Sequence, residues 1–234
     1  DVKIINFENR INGDGLSDIS IAQNGYKATY LNNGQGWTRD DSWNITDGDF
    51  DDQYGQDQGR WFSDINGDGL TDLVIAKDTY KAVYINNGHG WTRDDSWNIP
   101  DGTFIDAQGL DQGRRLADLN GDNVTDLVIA KGGYKKAYIN QSGPPDLLTN
   151  ITNGAGGTTT INYAPSTQHD NRGTDDIQDL PYAVQTVKDV TINDGQGHQY
   201  KTTYNYFGGM FNAKEREFRG FGHVFVYDTD NNYA

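Results

Sequence analysis

A chain of 234 residues with a formal charge of −15, 29 glycines and no cysteine excludes several classes at once. Nucleic-acid binding needs a surplus of Lys and Arg against phosphate, and disulfides, zinc–thiolate sites and cysteine nucleophiles need thiols that the chain lacks. No run approaches 18 apolar residues, so nothing reads as a membrane-spanning helix, and modest hydrophobicity with abundant Gly and Tyr favours an all-β fold rich in turns.

The chain opens at Asp1 with no visible signal peptide, and reads as a mature product or an excised fragment. Asn12-Gly13-Asp14-Gly15-Leu16-Ser17-Asp18 is the first, incomplete copy of a nine-residue element. The full copy is Asp64-Ile65-Asn66-Gly67-Asp68-Gly69-Leu70-Thr71-Asp72, and the third runs from Asp118 to Asp126. Asn12, Asn66 and Asn120 are equivalent, at intervals of 54 residues (66 − 12 and 120 − 66). Oxygen-bearing side chains at positions 1, 3, 5 and 9, with glycines at 4 and 6, suit a loop folded round a hard cation. Calcium takes six to eight oxygens from carboxylates and carbonyls, and the glycines allow the sharp turn. The expected ligands are Asp64, Asn66, Asp68, Asp72 and the Leu70 carbonyl. In the third copy they are Asp118, Asn120, Asp122, Asp126 and the Val124 carbonyl, with Asn123 in place of the second glycine. Asn tolerates the left-handed backbone, so that loop should keep its shape. In the first copy Arg10 stands where the opening Asp belongs, leaving Asn12, Asp14 and Asp18. This site is expected to be weak or empty, with Arg10 pairing the remaining carboxylates or Glu8 or Asn9 replacing the lost ligand. The expectation is two calcium sites and a degenerate third. An EF-hand is a poor match: its loop closes on a Glu at position 12, whereas Leu73–Ala76 reads as a buried strand.

Each loop runs into a strand, a turn carrying Tyr26, Tyr80 or Tyr134, and an alternating strand such as Lys81–Ile85. The stretch Trp37-Thr38-Arg39-Asp40-Asp41-Ser42-Trp43-Asn44-Ile45 recurs as residues 91–99, again 54 apart. About fifty residues holding several short strands is the size of one propeller blade. Three blades fall short of the usual four to eight, so either something absent completes the ring or the three form an open arc against the tail.

The pattern stops near Gly143-Pro144-Pro145, which sets the expected domains at 1–143 and 144–234. Residues 158–163, 184–192, 200–206 and 223–227 read as strands, residues 193–197 as a turn, and His169 to Asp179 as a polar mobile loop.

The loop units resemble FG-GAP or VCBS-type propeller repeats. The tail stretches Pro145–Gly154, Thr158–Tyr163 and Arg216-Glu217-Phe218-Arg219-Gly220-Phe221-Gly222 resemble the junction in toxin-complex B components and related SpvB or Rhs (YD-repeat) proteins. The resemblance implies a large bacterial protein, secreted or on the cell surface, in which propeller repeats pass into a β-rich shell and toxicity resides elsewhere. The expected fold is therefore all-β: three FG-GAP-like blades followed by an antiparallel β-rich segment.

No catalytic set stands out. His89, His169, His198 and His223 share no spacing, and neither a Gly-x-Ser-x-Gly elbow nor a Walker loop is present. Gly154–Gly157 opens no helix. Asp40-Asp41 and Asp94-Asp95 are adjacent pairs, which on a strand face opposite ways, unlike a glycosidase pair. The reading is a non-enzymatic, calcium-stabilised extracellular module whose partners are other protein chains or the rest of a larger polypeptide. One alternative is a lectin using Trp37, Arg39, Asp41, Trp91, Arg93 and Asp95. Its counter-reading packs the tryptophans between blades. Another is a self-assembling fibre built on unpaired strand edges.

Overall fold

The computed structural model describes residues 11–14, 16–142, 147–173, 179–212, 214–215 and 217–228. Arg10, Glu8, Asn9, the Gly143–Pro145 boundary, Arg216 and part of the expected 169–179 loop lie outside them. Every strand pairing between named strands is antiparallel. The all-β expectation holds.

Each repeat contributes one small sheet. The first joins β1 (Ile19–Gln23), β2 (Tyr26–Asn32) and β3 (Trp37–Arg39). The second has four strands, β4 (Arg60–Ser63), β5 (Asp72–Lys77), β6 (Tyr80–Asn86) and β7 (Trp91–Arg93). The third joins β8 (Arg114–Ala117), β9 (Asp126–Lys131) and β10 (Tyr134–Tyr138) in the order β10-β9-β8. Among the described residues no sheet closes on itself.

The strands follow from the sequence. Within β5 the run Leu73–Ala76 is unbroken and apolar, and the strand is buried from Asp72 through Ala76, as a central strand with both faces covered must be. Tight turns between paired strands use left-handed backbone at Asn24, Gly25 and Asp78, which Asn, Asp and Gly tolerate best. At Gly59, φ is +65° and an added Cβ would stand 2.5 Å from the Ala76 carbonyl oxygen. The Ala76 N–H donates to the Gly59 carbonyl at 2.9 Å. The chain must pass close to β5 here, and only glycine leaves room.

Between sheets, the segment that follows each tryptophan stretch folds into the gap. Ala22, Ile45, Phe50, Leu73, Ile75 and Ala82 form one core joining the first and second repeats. Fifty-four residues on, Ala76, Ile99, Phe104, Leu127 and Ile129 belong to the equivalent core between the second and third. The Phe50 N–H donates to the Ala22 carbonyl and the Phe104 N–H to the Ala76 carbonyl, at 2.9 and 3.0 Å, so the plug is held by backbone as well as by burial.

The chain divides into two compact units. One comprises Asp1–Leu119 and Val124–Pro145, the other Asn120–Asn123 and Asp146–Ala234. In the second unit a five-stranded meander runs β11 (Asn150–Thr152), β12 (Thr158–Pro165), β13 (Gln185–Asn193), β14 (Gln199–Asn212) and β15 (Glu217–Asp228) in chain order. A register shift near Asn162/Tyr163 and another near Met210/Phe211 bend its longest pairings. Its buried positions include Asn171, whose amide donates to the Ser166 carbonyl at 2.5 Å and whose Oδ1 accepts the Gly209 N–H at 3.1 Å.

Candidate functional site

The loop from Asp64 to Asp72 is closed by its own side chains. Asp64 accepts the Gly67 N–H at 2.7 Å and the Gly69 N–H at 2.9 Å. Asn66 Oδ1 accepts the Asp68 N–H at 3.0 Å, its amide donates to Asp68 Oδ2 at 2.9 Å, and Asp68 Oδ1 accepts the Leu70 N–H at 2.8 Å. These are Asx turns in series, with Gly67 and Gly69 at φ +78° and +82°. Asp72, fully buried, joins the loop to the sheet: Oδ2 accepts the Ile65 N–H at 3.0 Å and Oδ1 the Asn86 N–H at 2.8 Å.

The first loop repeats this scheme. Asp14 and Asn12 make the same paired bonds at 3.0 and 3.2 Å, and Asp14 Oδ1 accepts the Leu16 N–H at 2.8 Å. Asp18 accepts the Ile11 and Asn32 N–H groups at 3.0 and 2.8 Å. The unit division cuts the third copy. In one unit Asp126 accepts the Leu119 and Asn140 N–H groups at 2.8 and 2.7 Å. In the other, Asn120 and Asp122 make their mutual bonds at 2.8 and 3.2 Å, and Asn123 takes φ +67°. Its left-handed backbone matches the tolerance expected of Asn. Asp118 and Val124 each have a further partner.

Electrostatically the second loop is under tension. Burial, with Asp68 adding like charge, pushes the Asp64 carboxyl up to about 6. Burial first, then Asp68 and Asp64, push Asp72 up to about 7 despite its two backbone donors. Asp18 is raised as well, chiefly by burial. Among the described residues no three His, Cys, Asp or Glu side chains are gathered as a metal-holding group. The donor set nevertheless fits a hard dication in kind: three carboxylates, an amide oxygen and a carbonyl within one turn. Each carboxylate oxygen also keeps a lone pair beyond the hydrogen bond it accepts.

Two features of the repeats escape a reading of residue types alone. Asn32 and Asn86 end β2 and β6, Asn140 lies two residues beyond the end of β10, and Asn86 and Asn140 clamp successive repeats together. The Asn86 amide donates to the Ile11 carbonyl at 2.7 Å and the Thr71 carbonyl at 3.1 Å, while Asn140 does the same to Ile65 and Thr125. Asp47 accepts the hydroxyls of Tyr80 and, at 3.1 Å, Tyr84, and lies 3.6 Å from Arg60. Burial and the Asp47 bond push the Tyr80 hydroxyl up to about 12. Asp101 repeats the arrangement with Tyr138, Tyr134 and Lys136, which hold its carboxyl down at about 2. The signal was the spacing, since each of these sets recurs at 54 residues.

The candidate sugar-binding residues are differently placed. Trp37 is 57% exposed. Trp91 is packed edge-on to Trp43 at 6.2 Å and tilted against Phe62 at 5.7 Å, with its indole N–H on the Trp43 carbonyl at 3.0 Å. Arg39–Asp41 and Arg93–Asp95 close on each other at 2.8 and 2.7 Å.

The comparisons with known proteins agree with this architecture. No curated protein matches the chain. The crystal structure of TcdB2-TccC3 superposes with a TM-score of 0.73 at 20% identity, over 94% of this chain and 11% of that one. The same complex without its hypervariable C-terminal region gives 0.72 at the same identity and coverage. The Photorhabdus luminescens Tc holotoxin pore gives 0.68 at 20% identity, over 94% of this chain and 10% of that one. These neighbours share the fold, and the chain spans about a tenth of their length. The family model described as the insecticide toxin TcdB middle/N-terminal region matches residues 95–233, more than half of the 234. With repeats, tail and fold in agreement, the chain is a member of the insecticide toxin TcdB middle/N-terminal family, a non-catalytic region of those proteins.

Proposed function

We propose that this chain is a calcium-stabilised interaction and assembly module of a bacterial, secreted toxin-complex protein, its three repeats acting as propeller blades. The observation that carries the metal is the second loop, where Asp64 and the fully buried Asp72 are raised first by burial and then by the like charge of Asp68, with Asp64 adding to it at Asp72. A dication would relieve both causes. Asp64, Asn66, Asp68 and Asp72 would hold it together with the Leu70 carbonyl, and the third loop carries the same donor types in its sequence. Calcium supplies no chemistry here beyond charge and a fixed turn. What the chain's own residues do is transmit that turn: Asp72 ties the loop to Ile65 and Asn86, and Asn86 ties its repeat to Ile11 of the one before.

Support for the blade reading is the four-stranded antiparallel second sheet, with matched apolar cores on either side of it. The family and the neighbours' multi-chain assemblies support protein partners. Glycan binding is the less favoured reading, because Trp91 is committed to packing and the Arg–Asp pairs are already closed.

Thermal unfolding followed with excess calcium and then with excess EGTA tests the proposal. A ligand that binds only the folded state raises its stability by mass action, so melting should drop markedly in EGTA. An unchanged melting temperature overturns the calcium reading.

A further inference from the structure

Among the described residues the second and third sheets differ by one strand, and a cavity lies beside the third. In the second repeat, β7 pairs with β6 (Tyr84 with Arg93, Ile85 with Thr92, Asn86 with Trp91). Trp91 then fills the space between the first two repeats, against Trp43 and Phe62. The sequence departs from the repeat at Gly143, so position 145, the counterpart of Trp91, is proline. Among the described residues β10 is an edge strand of a three-stranded sheet.

At the place where a third such tryptophan would lie there is a cavity of about 290 Å³. Its lining includes Trp97, Ile99, Phe104, Leu116, Leu127 and Tyr138. Moved back by 54 these are Trp43, Ile45, Phe50, Phe62, Leu73 and Tyr84, the residues around Trp91 in the preceding core. Burial registers the vacancy. Trp43 is 4% exposed whereas Trp97 is only half-buried, and Ile139, lining the cavity, is 42% exposed. Ala82 and Val83 on β6 are buried, while their counterparts Lys136 and Ala137 on β10 are exposed.

We propose that this cavity and the β10 edge together form a docking site for an extended peptide strand donated by a partner polypeptide. The strand adds antiparallel to β10 and inserts a tryptophan, or another large aromatic side chain, between the second and third repeats. β-Strand addition supplies main-chain hydrogen bonds for affinity, and the pocket supplies specificity. β7 states the chemistry: an indole whose N–H meets the carbonyl of Trp97, as Trp91 meets that of Trp43 at 3.0 Å. The arginine of β7 is dispensable. Arg93 donates to the Tyr80 hydroxyl at 3.1 Å, but in the third repeat Lys136 brings a cation to the matching tyrosines from β10 itself, its ammonium 4.3 Å from the Tyr138 ring centre. The site deepens the interaction-module reading and rests on it, though not on the metal.

The probe is a synthetic peptide of residues 86–95, Asn-Asn-Gly-His-Gly-Trp-Thr-Arg-Asp-Asp, titrated into the isotope-labelled chain by NMR, with calcium and with EGTA. The expected result is binding with a dissociation constant below about 1 mM. Shifts should be confined to Trp97, Tyr138, Ile139 and their neighbours, and the peptide carrying Trp→Ala should bind at least tenfold more weakly, while Arg→Ala changes little. Shifts elsewhere, equal binding by the Trp→Ala peptide, or no binding because a second copy or the chain's own tail fills the cavity would each overturn it. Melting that ignores EGTA beside normal peptide binding removes the calcium and leaves the docking site standing.

Discussion

Asn86→Ala separates the clamp between repeats from the turn that the same residue makes within its own repeat. Asn86 is 1% exposed. Its amide nitrogen donates to the Ile11 and Thr71 carbonyls, and its Oδ1 accepts the Gly88 N–H at 2.9 Å. Three hydrogen bonds at about 1 kcal/mol net, with buried carbonyls left unpaired, place the loss at about 2–4 kcal/mol. For a chain of this size each kcal/mol corresponds to roughly 2–4 °C in melting temperature. Asn32→Ala is the internal control. It occupies the same position in the first repeat, where its amide has the Ser17 carbonyl at 3.2 Å and its Oδ1 the Gly34 N–H at 2.9 Å, both bonds exposed. The expected loss there is about 1 kcal/mol or less. Urea unfolding read by far-UV circular dichroism, in saturating calcium, measures both. Equal losses, or a larger one at Asn32, would refute the idea that the asparagine gains its weight from bridging repeats.

Four further outcomes follow from the same geometry. In EGTA, stability should fall as pH rises from about 4 to about 7: Asp64 and Asp72 have raised folded values of about 6 and about 7. The folded state therefore holds more protons than the unfolded one across that window, and every tenfold gain in proton affinity on folding corresponds to about 1.4 kcal/mol. Saturating calcium should abolish that decline; a calcium-free stability that rises over the window contradicts it. Gly59→Ala forces a side chain into φ +65° and against the Ala76 carbonyl, and should cost about 1–3 kcal/mol by denaturant unfolding, whereas Gly25→Ala meets no neighbour and should cost only the backbone strain. Trp91→Ala should destabilise by about 2–4 kcal/mol, with loss of the near-ultraviolet signal from its contact with Trp43.

Much of this architecture is legible in the residues. The 54-residue period, the turn chemistry of Asp and Gly, and the apolar run after each loop place the sheets without any coordinates. Local rules suffice because each of those features is settled within a few residues. The 54-residue spacing marks the asparagines and Asp47 and Asp101 as recurrent, but what they hold was not legible, since their partners lie 13 to 75 residues away and a short polar turn looks alike whatever it touches. Trp37 and Trp91 show the same limit: they sit in the same sequence stretch, yet one is exposed and the other is packed against Trp43 of the first repeat and against Phe62.

The central claim is that carboxylates recurring along the chain bind calcium, and equilibrium dialysis of the folded chain against calcium tests it most directly. The account predicts saturable binding by about 1 mM, the weak end for extracellular modules, at two sites per chain, with one site lost in Asp68→Asn. That variant keeps the oxygen that accepts the Leu70 N–H and so keeps the turn. A folded chain that retains no calcium at that concentration, or whose binding is indifferent to Asp68→Asn, would contradict it.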